Sequence, residues 1–246
     1  MPICNEVDVL DSLIDEWHRD VMQYLPSGSE MLFDDGASTD GTLEKLDKFQ
    51  QTHPYIRVLR SKKEGFAPAA RRLYQEARCP YVFFTDSDGQ YVPSEFWKIV
   101  EGLKGYDIAH GAKVSRKDPM IRLVGSFVFN TMAMVMFSTR IRDINSAFRL
   151  FPKRVTDDLL PQVHCIPTLL NAELTLRSVK AGYKVNVIPV MHRARIHGVS
   201  RGLPPGRFLK DCWKAFKGLL QLRRELRAAP SSTARLATAQ GDKPRS

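Results

Sequence analysis

The feature that most constrains the fold is an alternation of two periodicities between residues 7 and 85. Short aromatic and β-branched segments predict buried strands, and the segments between them carry apolar residues at helical spacing. The predicted helices are 7–24, 42–51 and 66–77, and the predicted strands are 30–33, 56–59 and 81–85. Such alternation is typical of right-handed βαβ units. It predicts an α/β, Rossmann-like fold with a mostly parallel sheet flanked by helices.

Two acidic clusters directly follow predicted strands. Asp34 and Asp35 come at the end of one strand, and Asp86 and Asp88 come at the end of another. In an extended chain, residues two apart point the same way, so Asp86 and Asp88 face one direction together. The carboxyl ends of parallel strands meet at one edge of the sheet, where ligands of such folds bind. We therefore expect both acidic clusters at that edge.

The pair Asp86 and Asp88 predicts a metal site. Two carboxylates held close together call for a cation, and their oxygen atoms suit Mg²⁺ or Mn²⁺. Magnesium usually bridges one or two carboxylates to phosphates, so the pair indicates a phosphate-bearing substrate. The alternative is ordinary turn chemistry after a strand, which also favours Asp and Gly. A calcium loop is excluded by spacing, because Tyr91 and Trp97 occupy the positions that require Gly and Glu.

Charge is distributed unevenly along the chain. The formal net charge of +10 indicates an acidic partner such as nucleic acid, anionic lipid or a phosphorylated substrate. Acidic residues concentrate before residue 110, whereas residues 192–227 are dominated by Arg and Lys, opposed only by Asp211 and Glu225. The two charge-distinct parts of the chain predict two separate tasks.

The cysteine pattern and the apolar segments indicate the compartment. The cysteines at positions 4, 79, 165 and 212 show no paired spacing, which favours a reduced cytosolic compartment over a disulfide framework or a zinc site. We expect no secretory signal, because the first residues show no basic region followed by an apolar stretch. The nearest candidate for a membrane span, 123–137, is too short and contains Asn130, so we expect it to lie against a membrane or the core.

The segment 203–227, near the C-terminal end of the sequence, predicts a basic amphipathic helix. Its apolar side carries Phe208, Leu209, Cys212, Trp213, Phe216, Leu219 and Leu220, and its other side carries Lys210, Lys214, Lys217 and Arg224. This pattern is typical of an interfacial helix on an anionic leaflet. The alternative is a helix packed on the domain with a solvated basic face. Residues 228–246 are small and polar and predict a disordered tail.

The order of the motifs resembles the family-2 glycosyltransferases, which have the GT-A fold. Within them it is similar to the polyprenyl-phosphate branch typified by dolichyl-phosphate mannose synthase. The motifs are MPICNE for Pro-x-x-Asn-Glu, DDGASTDGT for Asp-Asp-x-Ser-x-Asp-x-Thr, TDSDGQY for Asp-x-Asp-x-Gln, DINSAFRLF (143–151) for Asp-x-x-Ser-Gly-Phe-Arg and RIHGVSR (195–201) for Arg-x-x-Gly-x-Ser-Lys. Their order implies a GT-A catalytic domain over residues 1–202, with a truncated first strand. Ala147, Glu64 and Arg201 depart from the family pattern, which has Gly, Asn and Lys there.

The resemblance implies a reaction and a set of site residues. The reaction is inverting, metal-dependent transfer of mannose or glucose from GDP-mannose or UDP-glucose to a polyprenyl phosphate. The implied nucleotide-binding residues are Pro2, Asn5, Glu6, Asp34 and Asp35, and the implied metal ligands are Asp86, Asp88 and Gln90. Asp86, Asp88 and Glu173 are the catalytic candidates, with Glu173 as a general base or, alternatively, an Arg-paired carboxylate on a helix. The candidates for phosphate and acceptor binding are Lys113, Arg116, Arg122, Arg149, Arg195, Ser200 and Arg201.

The expected setting is the cytoplasmic face of a membrane. There the protein is peripheral, in contact with anionic lipid and with a membrane-embedded subunit as a candidate partner, rather than with nucleic acid. A competing enzyme class is a phosphatase of the haloacid dehalogenase type, although that family has Thr or Val where Gln90 stands. A family member with a hydroxyl acceptor and a catalytically inactive membrane-associated module also compete with the main interpretation. The residues do not distinguish the sugar or the nucleotide.

Overall fold

The computed structural model describes residues 1–114, 120–194 and 208–228. The α-helices are α1 (Val7–Asp20), α2 (Thr42–Thr52), α3 (Phe66–Glu76), α4 (Phe96–Gly102), α5 (Met120–Phe137), α6 (Lys153–Leu159), α7 (Leu170–Lys180) and α8 (Phe208–Ala228). The β-strands are β1 (Pro2–Ile3), β2 (Met31–Asp35), β3 (Ile56–Arg60), β4 (Tyr81–Phe84), β5 (Ile108–Val114), β6 (Arg149–Pro152) and β7 (Val185–Met191). The elements predicted up to residue 85 are confirmed in order and type, with ends that differ by a few residues.

The strands form one parallel sheet and one mixed sheet. The first has the order β1-β2-β3, with Pro2 opposite Asp34 and Ile3 opposite Asp35. The second has the order β4-β6-β5-β7, in which β5 and β7 are parallel and β6 is antiparallel to both of its neighbours. The predicted α/β class with mostly parallel pairing is confirmed, with β6 as the exception. Because β6 is antiparallel, its first residue, Arg149, lies beside Phe84, the last residue of β4.

The main core lies between the sheets and helices α1, α3 and α4. Helix α1 buries apolar residues at helical spacing, among them Leu10, Ile14 and Trp17. The Trp17 ring lies 5.7 Å from that of Phe83 on β4 and 6.4 Å from that of Phe148, measured between ring centroids. These aromatic contacts fix α1 against the strand that leads into the Asp86 motif, which makes the position of that motif a consequence of core packing.

A second apolar cluster joins α5, α7 and α8. Its buried members include Ala133 and Phe137 of α5, Leu176 of α7, and Leu219 and Leu222 of α8. The structure therefore corrects the predicted surface of the C-terminal helix, because Leu219 is buried against the domain and is not part of an open apolar side.

The other apolar residues of α8 differ in their exposure to solvent. Phe216 and Leu220 are half-buried, whereas Cys212 and Trp213 are exposed. Within the described residues, no helix combines the length and apolar character needed to cross a membrane. The proposed boundary at residues 202–203 and the predicted tail beyond Ala228 lie outside the described residues.

Candidate active site

Ser38 ties the opening segment of the chain to the loop after β2. Its Oγ donates to Oδ1 of Asp35 at 2.5 Å and accepts the N–H of Asn5 at 2.8 Å. Asn5 in turn accepts the N–H of Thr39 at 2.7 Å through its side-chain oxygen. Asn5 and Ala37 both have left-handed backbone angles, with φ of 52° and 55°. Left-handed angles are uncommon outside Gly and often mark functional loops, and here the hydrogen bonds that Ser38 makes hold both segments in one shape.

The loop after β2 is one residue longer than the Asp-Asp-x-Ser-x-Asp-x-Thr motif that it resembles. Its later half still makes the contacts that a helix start needs, because Asp40 accepts the N–H of Thr42 at 3.0 Å and that of Val7 at 3.2 Å. The Oγ1 of Thr42 accepts the N–H of Glu6 at 2.9 Å. One carboxylate thus serves the first turns of both α1 and α2, which positions Glu6 beside the loop.

Asp34 supports the site from within the protein. Its side chain is fully buried and accepts hydrogen bonds from Nε of Arg72 at 2.9 Å and from Oγ of Ser61 at 2.6 Å. Arg72 also pairs with Glu64 at 2.5 Å. Glu64 is one of the residues that depart from the family pattern. Its contact with Arg72 helps to hold the guanidinium that neutralises Asp34. Sequence reasoning missed Arg72, because no spacing rule connects a residue of α3 with the end of β2.

The Asp86 motif lies next to this loop. Ser87 is buried, and its Oγ donates to the main-chain oxygen of Pro2 at 2.8 Å. Pro2 is the residue that pairs with Asp34, so the structure brings both acidic clusters to the same short strand, as expected for one shared edge. Asp86 and Asp88, on either side of Ser87, are half-buried. Two half-buried carboxylates with hard oxygen donors fit a cation of the Mg²⁺ or Mn²⁺ type.

Gln90 connects the Asp86 motif with the end of β7. Its main-chain oxygen accepts the N–H of Arg193 at 2.7 Å, and its side-chain Nε2 donates to the main-chain oxygen of Arg193 at 3.1 Å. The guanidinium of Arg193 pairs with Glu16 of α1 at 2.5 Å. The amide nitrogen of Gln90 is thus used for positioning, which leaves the amide oxygen as the atom that could act as a metal ligand.

The structure describes only some of the predicted phosphate-binding residues, and it places them differently. Lys113 lies near the Asp86 motif, with its Nζ 5.8 Å from the centroid of the Tyr91 ring. Its main-chain N–H donates to Asp143 at 3.3 Å. Arg116, Arg195, Ser200 and Arg201 lie outside the described residues, and Arg122 belongs to α5 but its side chain is not among those described.

Arg149 requires a correction. The side chain is fully buried, and its guanidinium donates to Oγ1 of Thr175 at 2.7 Å and to the main-chain oxygens of Asn171 at 2.8 Å, Ile144 at 3.2 Å and Ser146. Burial lowers the pKa of Arg149 from its usual value, because the charged form loses its hydration. The prediction that Arg149 binds an acceptor phosphate is therefore replaced by an internal role in shaping the turn at residues 144–146.

Glu173 also differs from its predicted catalytic role. It is fully buried on α7, pairs with Arg177 at 2.9 Å and accepts the N–H groups of His164 at 3.0 Å and Ile166 at 2.6 Å. Of the two interpretations left open by the sequence, this is the Arg-paired carboxylate. Its oxygens are directed to protein donors, so the structure corrects the assignment of Glu173 as a general base.

Tyr91 is a site residue that sequence reasoning missed. It directly follows the Asp86 motif, and its hydroxyl contacts Oγ of Ser146 at 2.9 Å and accepts the N–H of Ala147 at 3.3 Å. Its ring stacks on Phe148 with centroids 4.8 Å apart. Burial, with a smaller contribution from Asp86, raises the pKa of Tyr91 above its usual value. Its place at the end of the quoted TDSDGQY segment was the available signal, and it joins the Asp86 motif to the turn before β6.

His110, which contacts Asp143, is a second residue that sequence reasoning missed. Nε2 of His110 donates to the main-chain oxygen of Asp143 at 2.9 Å, and Asp143 has a left-handed φ of 52°. Burial, assisted by the nearby charge of Arg149, lowers the pKa of His110 to about 3. The neutral imidazole therefore fixes a strained residue at the start of the 143–151 motif. The motif itself pointed to Asp143, whereas nothing in the sequence pointed to His110.

Comparison with solved structures identifies the fold as GT-A. The structure matches a mannosyltransferase from Pyrobaculum calidifontis, solved with GDP-Man and Mn²⁺, at a TM-score of 0.61 and 19% identity over 99% of this chain and 74% of that chain. It also matches glucosyl-3-phosphoglycerate synthase from Mycobacterium tuberculosis, solved with Mn²⁺, UDP and phosphoglyceric acid. The TM-score is 0.66 and the identity 15%, over 94% of this chain and 78% of that chain. The family model described as glycosyl transferase family 2 matches residues 1–160. The chain belongs to glycosyl transferase family 2, as its motifs predicted.

The similar curated proteins are glycosyltransferases. Glycosyltransferase AglJ of Haloferax volcanii is 27% identical over 83% of this chain and 65% of its own length. The dolichyl-phosphate hexose transferase of the same organism is 23% identical over 56% of this chain and 61% of its own length. The dolichyl-phosphate beta-glucosyltransferase of Saccharomyces cerevisiae is 20% identical over 65% of this chain and 56% of its own length. The chain therefore spans somewhat less than two thirds of the length of the curated relatives it matches.

Proposed function

We propose that this protein transfers a hexose from a nucleoside diphosphate sugar to a polyprenyl phosphate at the cytoplasmic face of a membrane. The observation that carries the proposal is the meeting of Asp86 and Asp88 with the nucleotide-type loop around Pro2. This arrangement supports binding of a diphosphate at the sheet edge, with GDP-mannose and UDP-glucose as the donors to test.

Asp86 and Asp88 are the residues that would hold the divalent cation, with the amide oxygen of Gln90 as an additional candidate ligand. A bound Mg²⁺ or Mn²⁺ would stabilise the negative charge that develops on the leaving diphosphate. Asn5 would hold the nucleotide beside this pair, and Asp35, which is buried, would support it by fixing Ser38. The two solved structures described above contain Mn²⁺ together with a nucleotide, which supports the cofactor class.

In the proposed reaction an oxygen of the acceptor phosphate forms a bond to the anomeric carbon. The bond from that carbon to the diphosphate oxygen breaks, the diphosphate leaves with its electron pair, and the carbon is inverted. The acceptor phosphate is already an anion, so no proton has to be removed during attack. Two observations agree with this chemistry. Glu173 is paired with Arg177 inside the protein, and Lys113 brings a cation to the side of the Asp86 motif.

Helix α5 supports action at a membrane. It exposes large apolar side chains on one face, here called the α5 apolar face: Met120 (74% exposed), Val124 (55%), Phe127 (72%), Val128 (48%) and Val135 (75%). These positions recur three, four or seven residues apart, which is the period of one side of a helix. A continuous apolar face of this kind marks an interaction surface, and an amphipathic helix lies in a bilayer interface with its apolar face down.

Helix α8, which packs on α5, carries an exposed aromatic residue and positive charges. It packs on α5 through the second apolar cluster, and its Trp213 is 56% exposed. Lys210, Lys214 and Lys217 are exposed near Trp213 on the same helix. Tryptophan favours the headgroup region, and each basic residue near an anionic surface contributes about 1 kcal/mol. Two relatives have names that include dolichyl-phosphate, which supports a lipid phosphate as the acceptor class.

The test is sugar transfer by the purified protein to paired acceptors. Labelled GDP-mannose or UDP-glucose is incubated with a phosphoprenol or with the unphosphorylated prenol of equal length, with and without Mn²⁺. We expect Mn²⁺-dependent transfer to the phosphoprenol alone. Comparable transfer to both acceptors would identify a hydroxyl acceptor, and loss of phosphate from the phosphoprenol would identify a phosphatase.

The matched controls are variants at the metal pair and at a carboxylate outside the loop. Asp86→Asn should lower transfer with either donor by at least about 100-fold, whereas Asp15→Asn, an exposed change on α1, should leave it unaltered. An absence of transfer by the unmodified protein with every donor, despite binding to vesicles, would favour an inactive membrane-associated module.

A further inference from the structure

Three potential metal ligands that do not belong to the Asp86 motif meet at a second place in the fold. His164 and Cys165 lie in the loop before α7, and Glu225 lies near the end of α8. Nε2 of His164 is 3.0 Å from Oε1 of Glu225, and these two atoms and Sγ of Cys165 all lie within 4.8 Å of one another. Nitrogen, sulfur and carboxylate oxygen together form the ligand set of zinc sites.

Arg177 of α7 orients two of these ligands. Its NH2 group donates to Oε2 of Glu225 at 2.8 Å and to Sγ of Cys165 at 3.4 Å. The remaining oxygen of Glu225 and the ring nitrogen of His164 then face each other. In metal sites, outer residues that donate to the ligands commonly fix their orientation in this way. The arrangement therefore provides an ordered pair of ligand atoms and a thiol held by a cation.

The exposure and charge of the cluster suit a cation with one open position. The side chain of His164 is 57% exposed and that of Glu225 is 34% exposed, whereas Cys165 is buried. Water can therefore reach the cluster from the His164 side. Glu173 and Glu225 bring two negative charges and Arg177 brings one positive charge, so the surroundings have a net charge of −1. Cysteine binds a metal as the thiolate, so cation binding would release the thiol proton of Cys165.

We propose that His164, Cys165 and Glu225 bind one divalent cation of the zinc type, with water as the fourth ligand. The softness of the ligand set distinguishes this site from the oxygen-only pair Asp86 and Asp88, which suits Mg²⁺ or Mn²⁺. The absence of paired cysteine spacing argued against a zinc site in the sequence. The ligands escaped that rule because His164 and Glu225 are 61 positions apart in the chain.

The site joins α8 to the body of the domain. Next to it, α8 approaches the same loop so closely that a Cβ on Gly218 would lie 2.4 Å from the main-chain oxygen of Cys165. A cation held between that loop and Glu225 fixes the C-terminal half of α8, which packs on α5. Cation binding is therefore a structural clamp on α8, and it is independent of the proposed sugar transfer.

The test uses Co²⁺ as a spectroscopic probe of the full-length protein after removal of metals by a chelator and reduction of thiols. One equivalent of Co²⁺ should produce thiolate-to-cobalt charge-transfer absorption and the visible bands of a tetrahedral site, and Zn²⁺ should displace it. Cys165→Ser should remove the charge-transfer band. His164→Gln should weaken binding by more than about tenfold, since loss of even an outer partner has an effect of that size.

Matched variants separate this site from other cation-binding positions. Cys212→Ser, which changes an exposed cysteine of α8 outside the cluster, should keep the band, as should the double variant Asp86→Asn and Asp88→Asn. Because His164 is exposed, His164→Gln should fold, which can be checked by circular dichroism. A charge-transfer band absent at one equivalent, or one that persists in Cys165→Ser, would overturn the proposal. Neither result would bear on sugar transfer, which the double variant tests separately.

Discussion

Asp86 and Asp34 are carboxylates at one sheet edge, but the protein surrounds them differently. Asp34 is fully buried and paired with Arg72, whereas Asp86 and Asp88 are half-buried on either side of Ser87. A carboxylate that neutralises a neighbouring cation contributes to stability, while a carboxylate near solvent at a ligand site contributes to binding. The same residue type therefore predicts different effects of substitution.

We expect Asp86→Asn and Asp88→Asn to lower the rate of sugar transfer by at least about 100-fold while the thermal midpoint stays near that of the unmodified protein. The carboxylates bind a cation and stabilise the transition state, and removal of such a contribution costs about 2.7 to 4 kcal/mol. Asp34→Asn should instead lower the free energy of unfolding by about 1 to 3 kcal/mol, because Arg72 loses its buried partner. Transfer assays and thermal unfolding of the three variants distinguish these outcomes. A strong loss of stability in Asp86→Asn would contradict the division of roles.

His110 predicts a pH dependence of stability. Its pKa is lowered in the folded protein to about 3 by burial and by Arg149, while an unfolded histidine binds a proton near pH 6.5. Between these values the unfolded state binds more protons, so the free energy of unfolding decreases as the pH is lowered, by up to about 1.4 kcal/mol per unit. The buried imidazole thus makes the fold sensitive to mild acid.

The measurement is chemical unfolding at pH 5 and pH 7 for the unmodified protein and for His110→Gln. Glutamine can keep a donor toward the main-chain oxygen of Asp143 but does not titrate. We expect the difference in stability between the two pH values to be smaller in His110→Gln. Glu225 does not disturb the comparison, because its pKa of about 2 and its unfolded value of 4.5 both lie below this interval. Equal pH dependence in both proteins would show that His110 is not the titrating group.

At the scale of elements, the sequence predicts each helix and strand better than it predicts what each one packs against. The period of apolar residues identified α8, but it could not show that Leu219 is buried on α5 and α7 while Trp213 remains exposed. Likewise, the motif at 143–151 suggested a phosphate ligand at Arg149, whereas that side chain is fully buried and its guanidinium donates to Asn171 and Thr175. Periodicity reports which side of an element is apolar, and partners from distant segments determine its surroundings.

Gly218 tests how closely α8 must approach the loop at Cys165. A β-carbon at this position would lie 2.4 Å from the main-chain oxygen of Cys165, and main-chain atoms cannot turn aside as a side chain can. We expect Gly218→Val to lower the free energy of unfolding by about 1 to 3 kcal/mol, the usual effect of forcing extra atoms into a packed contact. Arg224→Val, at an exposed position of α8, is the matched control and should have a much smaller effect. Calorimetry of both variants provides the comparison, and equal effects would contradict a steric clash at Gly218, because valine has a higher helix propensity than glycine and a lower one than arginine.

At the scale of the whole molecule, the α5 apolar face and Trp213 predict where the protein meets lipid. Phe127 and Val135 lie two turns apart on that face and are 72% and 75% exposed. Burial of a phenylalanine side chain in an apolar environment contributes about 1.5 to 3 kcal/mol, so placing a charge there should weaken membrane binding by about tenfold or more. We expect Phe127→Glu and Val135→Glu to reduce flotation with anionic vesicles.

The control is Tyr106→Glu, which changes an exposed aromatic residue in the loop between α4 and β5. This variant should float as the unmodified protein does. Salt should weaken binding because it screens the lysines of α8, whereas the apolar contribution should persist. Unchanged flotation of both glutamate variants would show that α5 does not face the bilayer.

Tyr91 has a consequence for substrate binding in a reaction cycle. Its hydroxyl contacts Ser146 and its ring stacks on Phe148, and it directly follows the Asp86 motif. The Asp86 motif and the turn at 144–146 are therefore joined directly by the buried side chain of Tyr91. We expect a displacement of the Asp86 motif on donor binding to move the turn at 144–146 as well. Under the proposed transfer reaction, donor binding should then change the affinity for the acceptor, and acceptor binding should change that for the donor by the same factor.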